Sequence, residues 1–497
     1  MATPRYPSLY QVNTRVWLTA LSRALGRRAI LDDIPDSALD DFANRGLDWI
    51  WMLSVWQTGP AAQSVSRSNA GWRHEFEGTL PDLTDEDIAG SGFAVASYRI
   101  RRDLGGDAAL ARLRERLCSR GLRLMLDFVP NHVGLDHPWV DAHPEYLVTG
   151  SEFDLARSPR NYFRVQTTSG SRVFAHGRDP YFPGWPDTIQ LNYGNPDLQE
   201  AMIGELLRIA RQCDGLRCDM AMLILPEVFR RTWSIESQPF WPRAISRVRE
   251  DLPDFVFLAE VYWDLEWTLQ QQGFDYCYDK RLYDRLREGN ARSVRDHLSA
   301  NLEFQNRLAR FLENHDEPRA AVTFGPAKHR AAATVAYFSP GLRFFHQGQF
   351  EGYRQRISPH LVRGPLEPAN AALAKFYSSL FAALRHPPAR NGTWQLVQCM
   401  PASEGNWTYD CVIAYFWEYA SAERLAVAVN FSDHQSQARL RLPFATLGDE
   451  VHCFKDLLDE TIYERKGSEL TTNGLYLDLP AWGVHIFSVS VGLPPVS

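Results

Sequence analysis

Short apolar runs alternate with longer amphipathic stretches as far as about residue 388, and this alternation constrains the fold more than any other feature of the chain. The runs are Tyr10–Leu18, Trp49–Ser54, Leu122–Asp127, Gly215–Asp219, Phe255–Glu260, Phe274–Tyr278, Leu308–Leu312 and Leu342–Phe345. Their length suits buried strands of a parallel sheet, and the stretches between them suit helices. Asp107–Arg120 carries Leu110, Leu113 and Leu117 on one face, and Gly121 stops it. Asp197–Gln212 follows Pro196 and places Leu198, Met202, Leu206 and Ile209 together, and Asn370–Leu384 is apolar enough to pack tightly. Eight strands, each followed by a helix, predict an α/β chain built on a (β/α)8 TIM barrel, with its active site at the carboxyl ends of the strands.

Two departures from the repeat mark further units. From His132 to about Asn195 the chain is rich in Pro, Gly, Asp and aromatics, which predicts a small excursion domain after the third strand. Beyond Pro388 the runs shorten and alternate (Trp394–Cys399, Cys411–Trp417, Leu425–Asn430, Ala438–Leu442, Val484–Val489), as in an antiparallel β-sandwich. The expected division is a barrel from 1–132 and 196–388, an inserted domain at 133–195 and a C-terminal sandwich at 389–497.

Composition narrows the function classes. With 53 basic and 60 acidic residues, the net charge of −7 lacks the basic excess of a nucleic-acid binder, so no nucleic-acid partner is expected. No apolar stretch is long enough to span a bilayer, and Met1–Tyr10 has no basic segment followed by an apolar one. No membrane partner or signal peptide is expected, and the cytoplasm is the default location. The seven cysteines are scattered without CxxC spacing, which suits a reducing compartment better than a disulfide framework or a zinc site. Nothing in the sequence fixes the oligomeric state.

Four strands end in polar, mostly acidic tips: LMLDFVPNH (Leu124–His132), GLRCD (Gly215–Asp219), FVFLAE (Phe255–Glu260) and RFLENHD (Arg310–Asp316). One acidic tip can simply cap the next helix. Four on one barrel face would crowd carboxylates at a cost of several kcal/mol each unless paired, roughly speaking, and a fold keeps such a cluster chiefly for chemistry. Residues two apart on a strand share a face, so Arg217 and Asp219 point the same way, and Asp127 can reach Arg217 from the neighbouring strand. The guanidinium should keep Asp219 ionised. The apolar run before Glu260 should raise its carboxyl pKa, as suits a general acid. Two carboxylates with opposed tuning match the needs of glycoside hydrolysis.

These residues resemble the α-amylase family of glycoside hydrolases (family 13). DFVPNH (Asp127–His132), GLRCDMAML (Gly215–Leu223), Glu260–Trp263 and ENHD (Glu313–Asp316) resemble its four short regions in order and spacing. YQVNTRVWL, PGLRFFHQGQ and the β-rich tail are also similar. The resemblance implies that Asp219 is the nucleophile of a retaining reaction, Glu260 the acid and then the base, and Asp316 the stabiliser of the transition state. It implies that Arg217 orients Asp219, Asp127 braces Arg217, and His132 and His315 donate to the sugar. A retaining site would hold nucleophile and acid about 5–5.5 Å apart. Trp185, Trp263 and Tyr181 are candidates for stacking on sugar rings, although aromatics more often serve the core. Asn131 stands where many relatives bind calcium, but the other ligands are not recognisable; no cofactor is expected, with Ca2+ at Asn131 the one metal candidate. LGGD (Leu104–Asp107) lacks the rest of a phosphate motif and reads as a turn and helix start.

Departures from the family pattern bear on substrate. Met222 and Leu223 occupy the Lys-His positions of endo-acting α-amylases, and Met220 follows the nucleophile. GFAV (Gly92–Val95) replaces Gly-Tyr-Asp-Val, so Phe93 can still stack on a sugar but Ala94 removes the acid. TIQLN (Thr188–Asn192) matches a fifth region loosely. The expectation is a retaining glycosidase acting on short α-glucosides or α-glucan oligosaccharides. The alternatives are a transglycosylase or isomerase of the same family (trehalose synthase-like or sucrose-acting) and a non-catalytic carbohydrate-binding protein.

Overall fold

The computed structural model describes residues 4–168, 170–420, 423–444 and 447–492. Its centre is a closed barrel of eight parallel strands: β1 (Ser8–Asn13), β2 (Trp49–Leu53), β3 (Arg123–Phe128), β4 (Gly215–Cys218), β5 (Val256–Ala259), β6 (Tyr276–Tyr278), β7 (Leu308–Arg310) and β8 (Leu342–His346). Each strand pairs with its sequence neighbours, and β1 closes the ring by pairing with both β2 and β8. Every residue of β1, β2, β4, β7 and β8 is buried, which explains why these segments read as mostly apolar runs broken only by a few buried polar side chains.

Helices wrap the barrel. Gly106–Cys118 buries Leu110, Leu113 and Leu117 against it and ends just before Gly121, which adopts φ +73°. Each such leucine stabilises the fold by about 1.5–3 kcal/mol. Pro196–Ala210 starts where the Asn195 side chain accepts from the Asp197 amide (2.9 Å) and Pro196 fills the first turn. The first strand is shorter than the sequence suggests. Tyr10–Leu18 was expected to be extended, but α1 (Thr14–Leu25) begins at Thr14, because the Asn13 side chain caps it through the Val16 amide.

Two connections at the carboxyl ends are enlarged. After β2 the chain forms α2 (Pro60–Ser68) and α3 (Ala70–Thr79), a helical pair that periodicity around the barrel did not reveal. After β3, His132–Gly134 pairs antiparallel with Thr188–Gln190, and a hairpin of Tyr162–Thr167 with Gly170–Ala175 lies between them in sequence.

The C-terminal part contains β9 (Thr393–Leu396), β10 (Gln398–Pro401), β11 (Val412–Tyr419), β12 (Glu423–Asn430), β13 (Ser436–Arg441), β14 (Val451–Asp456), β15 (Ile462–Lys466), β16 (Leu475–Leu479) and β17 (Val484–Val491). They form two antiparallel sheets, ordered β9-β11-β12-β17-β14-β15 and β10-β13-β16. The stretch Trp394–Cys399, read as one strand, breaks at buried Val397 and feeds both sheets. β11 shows why this region packs onto the barrel. Ile413, Tyr415 and Trp417 join the main core, while Val412, Ala414 and Phe416 face the small sheet. Trp417 Nε1 donates to the Phe338 carbonyl (3.1 Å), and its ring meets Tyr6 edge-on.

The seven cysteines are unpaired. Among the described residues, no helix is long and apolar enough to cross a membrane.

Candidate active site

Register brings the acidic tips together. Cys218 is the Cα partner of Ala259, and Arg217 that of Asp127, so Asp219 and Glu260 emerge at the same level on adjacent strands. The Asp219 amide donates to the Phe128 carbonyl (2.8 Å) and the Glu260 amide to the Cys218 carbonyl (3.0 Å), which extends the ladder to both tips.

Arg217 organises what lies there. It is fully buried; Nη1 donates to Asp219 Oδ1 (2.7 Å), Nη2 donates to Glu260 Oε2 (2.6 Å), and Asp127 Oδ1 lies 3.6 Å from Nη1. The rings of Trp51 and Phe93 sit 5.3 and 5.2 Å from the guanidinium carbon. Burial alone would lower its hold on the proton, but Glu260, Tyr278, Asp219 and Asp127 reverse that and hold it charged.

The carboxyls respond to the same competition. Burial pushes Glu260 up to about 6 despite Arg217. Burial likewise raises Asp219 above the ordinary range, and Arg217 opposes that shift without cancelling it. The Arg217 contact expected to favour the charged Asp219 is present, and burial works against it because the site is drier than strand spacing alone reveals. Asp127, beneath the site, is pushed up by burial to about 7.

Glu260 has two unlike oxygens. Oε2 accepts from Arg217 and from the Met220 amide (2.7 Å), whereas Oε1 accepts from the Tyr262 hydroxyl (3.0 Å). Met220 holds φ +41°, a left-handed conformation that turns its amide onto Glu260 and costs of order 1–3 kcal/mol for a residue of this kind.

Asp219, Glu260 and Asp316 line one cavity of about 290 Å3, together with His132, His315 and Phe93. The Asp316 side chain is 46% exposed, and its Oδ2 lies 3.1 Å from His315 Nε2. His315 Nδ1 meets the Gln11 amide nitrogen (2.8 Å); as that nitrogen can only donate, the ring proton sits on Nε2. Burial lowers both His132 and His315 to about 3, so both rings are neutral. Arg217 and Asp127 lie below the cavity. Trp263 is not part of its lining; with φ +64° it sits against the edge of Tyr181, and Arg231 faces both rings.

Two walls complete the cavity. One is formed by Trp72, Ser91, Pro359 and His360, the other by Trp185, Asp187, Thr188, Met220 and Tyr262. The segment from 133 to 195 thus supplies part of the second wall. Asp187 is buried, has one unpartnered oxygen and is pushed up to about 6 by desolvation. Of the wall residues, sequence reading singled out Trp185 and Met220, and its motifs took in Thr188 and Tyr262. Trp72 sits on α3, and Ser91, Asp187, Pro359 and His360 sit in loops; none of these segments carries an acidic strand tip that would have marked them. Met222 and Leu223 are buried and offer nothing to a leaving sugar chain.

The calcium expectation turns on Asn131. Its Oδ1 and its carbonyl both accept from Gln190 Nε2 (3.0 and 2.8 Å), which also reaches the Leu191 carbonyl (3.2 Å). An amide donor stands among oxygens that a cation would need to gather, so the residues present do not fit a calcium ion there. Among the described residues, no group of three or more His, Cys, Asp or Glu side chains could hold a metal.

Comparison with known proteins bears on this geometry. The profile of the α-amylase catalytic domain matches residues 46–363. "Alpha-amylase MalA" of Haloarcula japonica is 24% identical over 383 residues, covering 75% of this chain and 52% of that protein. "Trehalose synthase/amylase TreS" of Mycobacterium tuberculosis is 27% identical over 203 residues, covering 37% of this chain and 32% of its own. The chain spans about half the length of the curated relatives it matches (52%, 61% and 55% of the first three). Among solved structures, the maltogenic α-amylase AmyB of Thermotoga neapolitana shares the fold with a TM-score of 0.68 and 17% identity, covering 98% of this chain and 99% of that one.

Proposed function

The chain belongs to the α-amylase family, and we propose that within it this protein is a retaining α-glycosidase acting on short α-glucosides or α-glucan oligosaccharides through a covalent glycosyl–aspartate intermediate. The observation that carries this reading is one guanidinium, Arg217, gripping two carboxylates of adjacent strand tips in a single cavity.

In the proposed mechanism Arg217 holds Asp219 Oδ1, leaving Oδ2 to attack the anomeric carbon. The bond from that carbon to the leaving oxygen breaks as the Oδ2 ester forms. Glu260 gives its proton to the departing oxygen. Oε2 is occupied by two donors, so the transferable proton belongs on Oε1. In the second half, Glu260 takes a proton from the incoming hydroxyl, whose oxygen replaces the ester. Asp316 accepts from sugar hydroxyls, and the neutral rings of His132 and His315 hydrogen-bond the sugar without adding charge. A cavity of about 290 Å3 lies at the small end of ligand pockets, which supports a short substrate over a threaded polymer.

The incoming hydroxyl can be water or another sugar, since both use the same base. Similarity to a trehalose synthase supports keeping transfer as the second reading. Asp219→Asn is expected to abolish turnover of 4-nitrophenyl α-glucoside in a protein that still folds, and an unchanged rate would refute the mechanism. Chromatography of products from maltose, trehalose and sucrose separates the two readings: new disaccharides mean transfer, free monosaccharide alone means hydrolysis.

A further inference from the structure

The mechanism above leaves one cavity histidine without a role. His360 follows β8, and its ring packs on Trp72 (4.6 Å between centroids) and Phe76 (5.7 Å) of α3. Its Nδ1 lies 2.8 Å from Ser66 Oγ on α2. That hydroxyl also lies 3.0 Å from the Ala62 carbonyl, one helical turn earlier. A serine hydroxyl has one proton, and the carbonyl can only accept it. Ser66 Oγ must therefore accept from His360, which puts the ring proton on Nδ1 and leaves Nε2 as a bare acceptor. Burial, with Arg15 and Arg356 nearby, lowers His360 to about 3, so the ring stays neutral.

The wall around His360 has little else to accept a hydrogen bond. The side chains of Trp72 and Pro359 carry no acceptor, and Ser91 Oγ already accepts from the Phe93 amide (3.2 Å). The wall is also stitched shut. The Ala89 amide donates to the His360 carbonyl (2.8 Å), the Val362 amide donates to the Asp87 carbonyl (2.9 Å), Ile88 bridges Leu361, and Arg363 pairs with Asp87. A sugar chain cannot continue through backbone joined in this way.

We propose that His360 Nε2 accepts a hydrogen bond from a hydroxyl of the glycosyl unit held at the nucleophile, so that the protein recognises an unsubstituted, non-reducing terminal sugar. The proposal rests on the glycosidase reading and adds to it which end of the substrate is read and by which atom. Ser66 is a positioning residue in this scheme: it touches no sugar and acts by fixing the ring proton of His360. The neutral acceptor also suits a cavity already crowded with carboxylates, since it takes a hydroxyl proton without adding negative charge.

The test compares wild type, His360→Phe, His360→Gln and Ser66→Ala on 4-nitrophenyl α-glucoside and its 3-, 4- and 6-deoxy analogues. Wild type should lose about 3- to 10-fold in kcat/KM on the analogue that lacks the donating hydroxyl. His360→Phe should lose that factor on the parent and nothing further on that analogue. His360→Gln, which keeps an acceptor, should restore part of the discrimination, and Ser66→Ala should weaken it. If His360→Phe discriminates among the analogues as wild type does, or if wild type discriminates against none, the proposal is overturned. If no glycoside is turned over, the glycosidase reading fails on its own. Calorimetric titration with glucose and the same deoxyglucoses then decides the His360 contact directly: equal affinities, or a difference that survives His360→Phe, overturn it.

Discussion

Arg217 and Arg343 are both fully buried arginines of barrel strands, yet their surroundings are opposite. Arg217, near the carboxyl end of β4, faces Asp219, Glu260 and Asp127. Arg343, near the amino end of β8, donates only to backbone carbonyls: Tyr6 (2.6 Å), Tyr337 (2.8 Å) and Ala389 (2.5 Å). Opposite charges keep Arg217 firmly protonated, while burial without a carboxylate partner pulls Arg343 down to about 9. The same side chain gathers carboxylates at one end of the barrel. At the other it ties the N-terminal segment (Tyr6), the end of the helix before β8 (Tyr337) and the helix after the barrel (Ala389) to one another through carbonyls that would otherwise be orphaned. The difference teaches that a buried charge is a clue to chemistry only when its partners can titrate.

The sharpest way to break that comparison is to exchange the outcomes of two substitutions. Arg217→Lys keeps the charge but cannot grip two carboxylates at once, and kcat should fall on the order of 10²- to 10³-fold with little change in thermal stability. Arg343→Met should do the reverse, costing about 3 kcal/mol of stability, read by denaturant unfolding, with kcat nearly intact. A large loss of activity from the second, or of stability alone from the first, would dissolve the distinction.

A smaller effect sharpens it. In the proposed mechanism Glu260 must carry a proton to act as acid, and its carboxyl is raised to about 6. As pH rises through that value the acid form is lost, so kcat/KM for an ordinary glycoside should fall about tenfold per pH unit above it. A glycoside with an excellent leaving group, which needs no proton, should lack this alkaline limb. If both substrates show the same limb, the titrating group is not Glu260.

The smallest effect concerns Gln190, whose neutral amide does near the mouth what Arg343 does at the other end: it satisfies backbone oxygens. Chelation with EDTA should leave the melting temperature of the wild type unchanged. Gln190→Glu removes the donor and should destabilise by about 1–3 kcal/mol, with calcium restoring part of the loss. A wild-type melting temperature that drops in EDTA and recovers with calcium would contradict the fit found at Asn131.

The barrel was legible because all-round burial forces β1, β2, β4 and β8 into largely apolar runs that few surface strands would show. The floor of the cavity was legible for a related reason: Asp219, Glu260 and Asp316 interrupt such runs, and an acid at that point stands out. The walls were not. Trp72, Asp187 and His360 reach the cavity from helices and loops that obey no single period, and only tertiary contacts decide which aromatic or acid turns inward. The β14, β15 and β16 strands were missed because half-exposed edges such as Ile462–Lys466 mix charges into their alternation.

The stitched wall has a consequence for how this protein is made. The two segments joined by the Ala89 to His360 hydrogen bond are separated by some 270 residues of chain, roughly 15–50 s of synthesis at about 5–20 residues per second. A polypeptide emerging from the ribosome presents Asp219 and Glu260 before Asp316 exists and long before the chamber around them can close. Sugars in the surroundings therefore meet no competent centre until the last barrel strand has docked beside the first, and chains that terminate early remain inert.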